Sequence, residues 1–137
     1  MNEIKLGKQE VIHFVGIGGI GMSGLAQIMK TMGFKIQGSD VNKNKNTENC
    51  KKVGIKILKG HKKKHINKVT IVVKSSAIKS NNIELLAAKK NNIPIYDRIE
   101  MLANIIDLKK NIIITGSHGK TTTTSLVANI ISSARLD

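Results

Sequence analysis

Aromatic residues make up only 2% of this 137-residue chain, with no tryptophan, one tyrosine and two phenylalanines. Nucleic-acid bases would find almost nothing to stack on. Acids are also scarce, 9 against 23 lysines and arginines, for a net charge of +14. Arginine is nearly absent too, with only Arg98 and Arg135. The lysines are scattered among asparagine and isoleucine, as an AT-rich coding sequence would give, and no recognition motif of the common nucleic-acid modules appears. The charge therefore reads as compositional and no nucleic-acid partner is expected, although the field would draw anionic substrates. A single cysteine, Cys50, excludes an internal disulfide and suits a reducing compartment; it reads as a partly buried helix residue. No apolar run approaches the roughly 20 residues that cross a bilayer. The opening Met1–Leu6 lacks the apolar core of a secretory signal, so the expectation is a cytoplasmic protein with no membrane association.

What is present is enough apolar residue, 40%, to build one real core. Short apolar runs alternate with helical patterns and glycine turns, which predicts a Rossmann-like α/β domain: a parallel sheet with helices on both faces. Strands are expected over 11–15, 34–38, 55–58, 69–73 and 93–96, the last pushed to an edge or strand start by Pro94. Met22, Leu25, Ala26, Met29 and Met32 share one helical face, and Gly33 stops that helix. Thr47 is expected to cap a second helix, and Ser80 or Asn81 a third; a fourth covers 99–108. Lys109-Lys110-Asn111 is the candidate boundary, giving domains 1–109 and 110–137. Beyond it, a strand over 111–115, a second glycine loop and a helix over 120–133 read as one βα unit of a truncated P-loop domain.

The first glycine loop, Gly16-Ile17-Gly18-Gly19-Ile20-Gly21, sits between a buried strand and a helix. Gly16 permits the turn, Gly18 lets backbone approach a pyrophosphate, Gly21 allows close helix–strand packing, and the helix start offers free N–H groups to an anion. Asp40 follows about 20 residues on, where an acid can accept from a ribose. These features imply a dinucleotide or another diphosphate nucleotide, and an NAD-binding module is the default on the motif alone. The second loop, Thr115-Gly116-Ser117-His118-Gly119-Lys120-Thr121, has a phosphate-cradling Gly-Lys-Thr core. Lys120 would reach the β/γ oxygens and Thr121 would ligate Mg²⁺. It departs from the general pattern, since Ile114 stands where the first glycine belongs. Two phosphate loops are one more than a simple dehydrogenase needs.

With both loops in view, the sequence resembles the Mur ligases of peptidoglycan synthesis, specifically the UDP-N-acetylmuramate–L-alanine ligases. The resemblance rests on His13 through Gly24, Gly38-Ser39-Asp40, Gly60-His61, Ser75-Ser76-Ala77-Ile78 and Gly116 through Thr124, in that order. Sister ligases typically carry asparagine at the position of His118, so this histidine favours the alanine-adding branch.

The resemblance implies a UDP-sugar site made of Gly18, Gly19, Ile20, Gly21 and Met22 at the pyrophosphate, Ser39, Asp40 and His61 near the uridine, and Ser75 and Ser76 near the substrate phosphates. It implies an ATP site at Gly116, Ser117, His118, Gly119, Lys120, Thr121 and Thr122. Lys120 and Thr121 would be catalytic, with ATP and Mg²⁺ as cofactors and UDP-N-acetylmuramate and L-alanine as substrates. His13 reads as a satisfied strand residue and His65 as solvent-facing. Among acids only Asp137 follows Asp107, so a second carboxylate for Mg²⁺ is missing and the expectation is a fragment that binds UDP-sugar without turnover. The apolar stripe Leu126, Val127, Ile130 and Ile131 of the last helix would then favour association.

Overall fold

The structure, a computed structural model, describes residue 4 and residues 6–108 and 110–134. Met1, Asn2, Glu3 and Lys5 of the opening stretch, Lys109 at the expected boundary, and Arg135, Leu136 and Asp137 at the end lie outside the described residues.

Five strands, β1 (Val11–Val15), β2 (Lys35–Asp40), β3 (Lys56–Lys59), β4 (Ile71–Lys74) and β5 (Ile95–Asp97), form one parallel sheet in the order β3-β2-β1-β4-β5. Parallel neighbours need crossovers. These are α1 (Ile20–Thr31), α2 (Lys45–Lys52), a 3₁₀ turn (Lys63–Ile66) and α3 (Ile83–Lys90); α4 (Arg98–Ile106) and α5 (Lys120–Ser133) follow β5. The period of two along β1 divides the core. Ile12 and Phe14 join Met22, Leu25, Ala26 and Met29 of α1, Cys50 of α2, and Met101 and Ile105 of α4 on one face. Val15 joins Val72, Ile66, Leu85 and Ala88 on the other. Helices thus cover both faces, as the pattern predicts. The chain runs outward from β1 to β3 and then returns to β4, so the crevice at the strands' carboxyl ends beside β1 is the topological switch point.

Three crossover helices end alike. After α1, Gly33 takes φ +90, with its N–H on Lys30 O at 3.0 Å and Phe34 N–H on Met29 O at 3.1 Å. Gly54 and Ile55 repeat this after α2, and Asn92 (φ 53) and Ile93 after α3. Each is a Schellman cap that turns the helix into the next strand. Gly38 has a different reason to be glycine. It pairs with Phe14, and a Cβ there would lie 2.5 Å from Ile17 Cδ1 and 2.9 Å from Phe14 O. The edges are short strands: β3 begins and ends on lysine, and β5 follows Pro94, whose carbonyl accepts from Val72 N–H at 2.9 Å.

Three expectations need correcting. Asn44, not Thr47, caps α2. The two form a capping box, Asn44 Oδ1 accepting from Thr47 N–H and Thr47 Oγ1 from Asn44 N–H, each at 3.0 Å. Asn82, not Ser80 or Asn81, caps α3, accepting from Glu84 N–H at 2.9 Å. Residues 111–115 form no strand; Ile112 and Ile113 are 64% and 65% exposed. A strand exists only by pairing, and among the described residues no strand lies beside this segment. Nor is any α5 residue buried. Among the described residues no helix is long and apolar enough to cross a membrane.

Candidate functional site

At the switch point, β1 delivers the chain into a turn that Gly16 makes at φ +81. The first amides of the loop are used internally: Gly16 and Ile17 N–H both donate to Ser39 O, at 2.9 and 3.1 Å. Gly18 N–H donates to Asp40 Oδ2 at 2.8 Å, while Asp40 Oδ1 accepts from Asn42 N–H at 2.9 Å. Asp40 therefore sits on the loop itself, capping an amide the sequence reading assigned to pyrophosphate. Asn44 and Asn46 hold the loop from the far side through Gly18 O, at 3.1 and 2.8 Å.

Gly19 then opens α1 with no side-chain cap and no acid in the first turn. The N–H groups of Ile20, Gly21 and Met22 meet no acceptor among the described residues. Three free donors at the positive end of a helix dipole make a ready anion cradle. Ile20 itself is 84% exposed beside them. Ser76 is exposed at the end of β4, whereas Ser75 is half-buried, its N–H on Val15 O at 3.2 Å and its Oγ accepting from Ala77 N–H at 3.3 Å. Gly21 is not explained by helix–strand packing, because the group nearest its missing Cβ is the Arg98 side chain, at 3.2 Å.

A buried charged cluster lies beneath the site, and the sequence reading missed it. Glu84, in the first turn of α3, is 0% exposed. Its Oε2 accepts from Ser39 Oγ at 2.6 Å and from His61 Nδ1 at 2.8 Å; its Oε1 accepts from His65 Nδ1 at 2.6 Å. His13 Nε2 stands 3.5 Å from Oε1, too long for a good hydrogen bond, and is a buried side-chain nitrogen with no hydrogen-bond partner among the described residues. Gln37 orients that ring: its amide donates to His65 O at 2.9 Å and faces His13 Nδ1 at 3.1 Å, which puts the His13 proton on Nε2, towards Glu84. Burial works against the charged carboxylate, yet the contacts from His13, Ser39 and His61 outweigh it and hold its pKa at about 2.

His65, expected to face solvent, is 7% exposed, because its Nδ1–H is drawn in to the carboxylate. His13 is buried as expected but only half satisfied. Ser39 turns its hydroxyl inward and its carbonyl to the loop, so it supports the cleft from beneath. His61 is the cluster member that reaches the surface, its side chain 16% exposed.

In the second loop, Gly116 and Gly119 take φ +146 and +76, conformations that favour glycine. Lys120 folds back and donates from Nζ to Gly116 O. Thr124 and Ser125 hydroxyls donate to Lys120 O and Thr121 O on their own helix, at 2.7 and 2.9 Å. Thr121 Oγ1 has no partner among the described residues, so it remains available to a ligand. No group of three or more His, Cys, Asp or Glu among the described residues is arranged to hold a metal ion.

The model of the Mur ligase family, catalytic domain, matches residues 11–110. A UDP-N-acetylmuramate–L-alanine ligase of Pelagibacter ubique is 67% identical over 98% of this chain and 29% of its own length. Its Aquifex aeolicus counterpart is 52% identical over 91% of this chain and 28% of its own. The crystal structure of the UDP-N-acetylmuramate–alanine ligase MurC from Thermotoga maritima superposes with a TM-score of 0.83 at 34% identity, covering 91% of this chain and 30% of that one. The chain thus spans under a third of the length of these relatives.

Proposed function

The chain belongs to the Mur ligase family, and from this we propose that residues 1–109 form the nucleotide-sugar-binding domain of a UDP-N-acetylmuramate–L-alanine ligase and residues 110–137 begin its ATP-binding domain. The observation that carries the reading is the set of free amides at Ile20, Gly21 and Met22 on the switch-point crevice, in a chain 67% identical to such a ligase. In this reading the free amides of Ile20, Gly21 and Met22 take the UDP diphosphate, on a loop whose Gly18 amide is held by Asp40, with Asp40 and His61 on the uridine side and Ser75 and Ser76 along the phosphates. Ser39 acts from below, through Glu84 and the loop. Gly116 to Thr122 take the ATP phosphates, Lys120 releasing Gly116 O to meet the γ-phosphate. Thr121 would hold Mg²⁺, which supplies charge neutralisation at the phosphates.

The reaction is two displacements. The muramate carboxylate attacks the γ-phosphorus and ADP leaves; the alanine amine then attacks the acyl phosphate carbon, losing a proton as phosphate departs. The protein's part in the first is positioning and charge stabilisation.

Titration calorimetry tests the reading. UDP-N-acetylmuramate should bind the chain and NAD should not. Gly18→Val should abolish that binding, since even a Cβ there would stand 2.8 Å from Asp40 Oδ2 and 3.0 Å from Asn44 Nδ2. Binding of NAD in preference to the UDP-sugar would overturn the assignment. Phosphate release with all substrates is expected to be nil for these 137 residues alone.

A further inference from the structure

Arg98 belongs to none of the motifs that point to the ligand, yet it lies on the phosphate cradle. It is the first residue of α4, at the carboxyl end of β5. Its Cδ, Nε and Cζ each lie 3.2 Å from where a Cβ on Gly21 would stand, so the charged end of the side chain crosses the first turn of α1. Any larger residue at 21 would push it away.

The other charged groups here are engaged. Lys74 Nζ pairs with Asp97 Oδ1 at 2.5 Å. Glu100 Oε2 accepts from Asp97 N–H at 2.7 Å in the capping box of α4. Arg98 is half-buried and its guanidinium has no hydrogen bond or ion pair among the described residues. It borders an open cleft of about 490 Å³ shared with Lys74, Ser76, Asp97, Ile99 and Glu100.

Its position is electrostatically costly as it stands. A cation beside the N-terminus of a helix faces the positive end of the dipole, and the first turn of α1 carries no acid to offset it. Three N–H groups and a guanidinium thus lie at the first turn of α1 with no acceptor among the described residues. One bound anion reverses every term: it meets the amides, the dipole and the guanidinium together, and a planar fork suits two oxygens of a phosphate.

We infer that Arg98 is a binding residue for the nucleoside diphosphate, closing over Gly21 to hold the phosphate oxygens that the Ile20–Met22 amides hold from below. This rests on the UDP-sugar reading above and deepens it. Gly21 is then glycine to admit the arginine.

Calorimetry with uridine, UDP and UDP-N-acetylmuramate on the wild-type chain, Arg98→Ala, Arg98→Lys, Gly21→Ala and the Gly21→Ala/Arg98→Ala double variant tests this, with melting curves to check folding. Arg98→Ala should weaken UDP and UDP-N-acetylmuramate alike by about 10- to 100-fold, the loss of one charge-assisted contact, and leave uridine unchanged. Lysine should restore little. Gly21→Ala should weaken UDP in the wild-type background and add nothing once Arg98 is alanine, a coupling that loss of helix stability would not produce. Unchanged UDP affinity in Arg98→Ala overturns the inference, as does additivity in the cycle. A loss confined to UDP-N-acetylmuramate also overturns it, since the contact would then be to the sugar's carboxylate. If the wild-type chain binds no UDP, the underlying site assignment falls and takes this one with it; UDP binding that ignores Arg98 removes this one alone.

Discussion

Replacing Glu84 with glutamine should flatten the acid limb of the chain's stability. The carboxylate has an ordinary value of 4.5 in the unfolded chain and about 2 in the fold. A depressed folded-state value means that the charged form is favoured by folding. Above pH 4.5 both states are ionised and the advantage is complete. As pH falls from 4.5 towards 2 the unfolded chain takes up the proton first, and the advantage drains away until none is left below 2. The difference corresponds to roughly 3 kcal/mol, a large part of the 5–15 kcal/mol that holds a domain together. Urea denaturation followed by circular dichroism from pH 7 to pH 2 measures it. Glu84→Gln will be weaker at pH 7, because its amide cannot accept from Ser39, His61 and His65 together. The decisive quantity is therefore the slope between pH 4.5 and 2, which should be steeper in the wild type by about 3 kcal/mol over the window. Parallel curves for the two proteins would refute the assignment of a buried, ionised Glu84.

Two further outcomes follow from packing. Gly38→Ala should destabilise the fold by about 1–3 kcal/mol, towards the upper end because one of the atoms its Cβ would meet is the Phe14 carbonyl oxygen, which cannot swing aside; a denaturation midpoint equal to wild type would contradict the close approach of β2 to the glycine loop. Cys50 is fully buried and burial pushes its thiol up, so Ellman's reagent should label it at least about 100-fold more slowly in the native chain than in urea, and equal rates would show that α2 does not pack as described.

What was legible in the sequence was what local pattern encodes. The buried run of β1, the apolar stripe of α1, the glycine loop between them and the edge position forced by Pro94 each depend on residues a few positions apart. The cap positions missed by one to three residues, since several Asn, Ser and Thr neighbours compete and only backbone geometry chooses. The strand over 111–115 failed because three isoleucines supply propensity but not a partner strand. The Glu84 cluster was out of reach for another reason. It assembles His13, Ser39, His61, His65 and Glu84 from separate elements on one side of the sheet, and in sequence Glu84 looks like an ordinary first-turn acid serving the dipole of α3. The one available signal was His13, a polar ring inside an otherwise apolar buried strand. Arg98 escaped because its partner is Gly21, a residue with no side chain to correlate with.

The two outer strands set how this domain can meet other chains. A parallel sheet that is not closed leaves a row of unsatisfied amides and carbonyls on each side, a template on which any extended peptide can grow. Here one such row is four residues long with lysine at both ends, and the other is three residues long with a proline before it. An incoming strand would gain a few hydrogen bonds at most, and a second copy would bring lysine against lysine. Strand-by-strand polymerisation is thereby disfavoured, and contact with any other folded unit is directed to the helices and to the loops around the crevice.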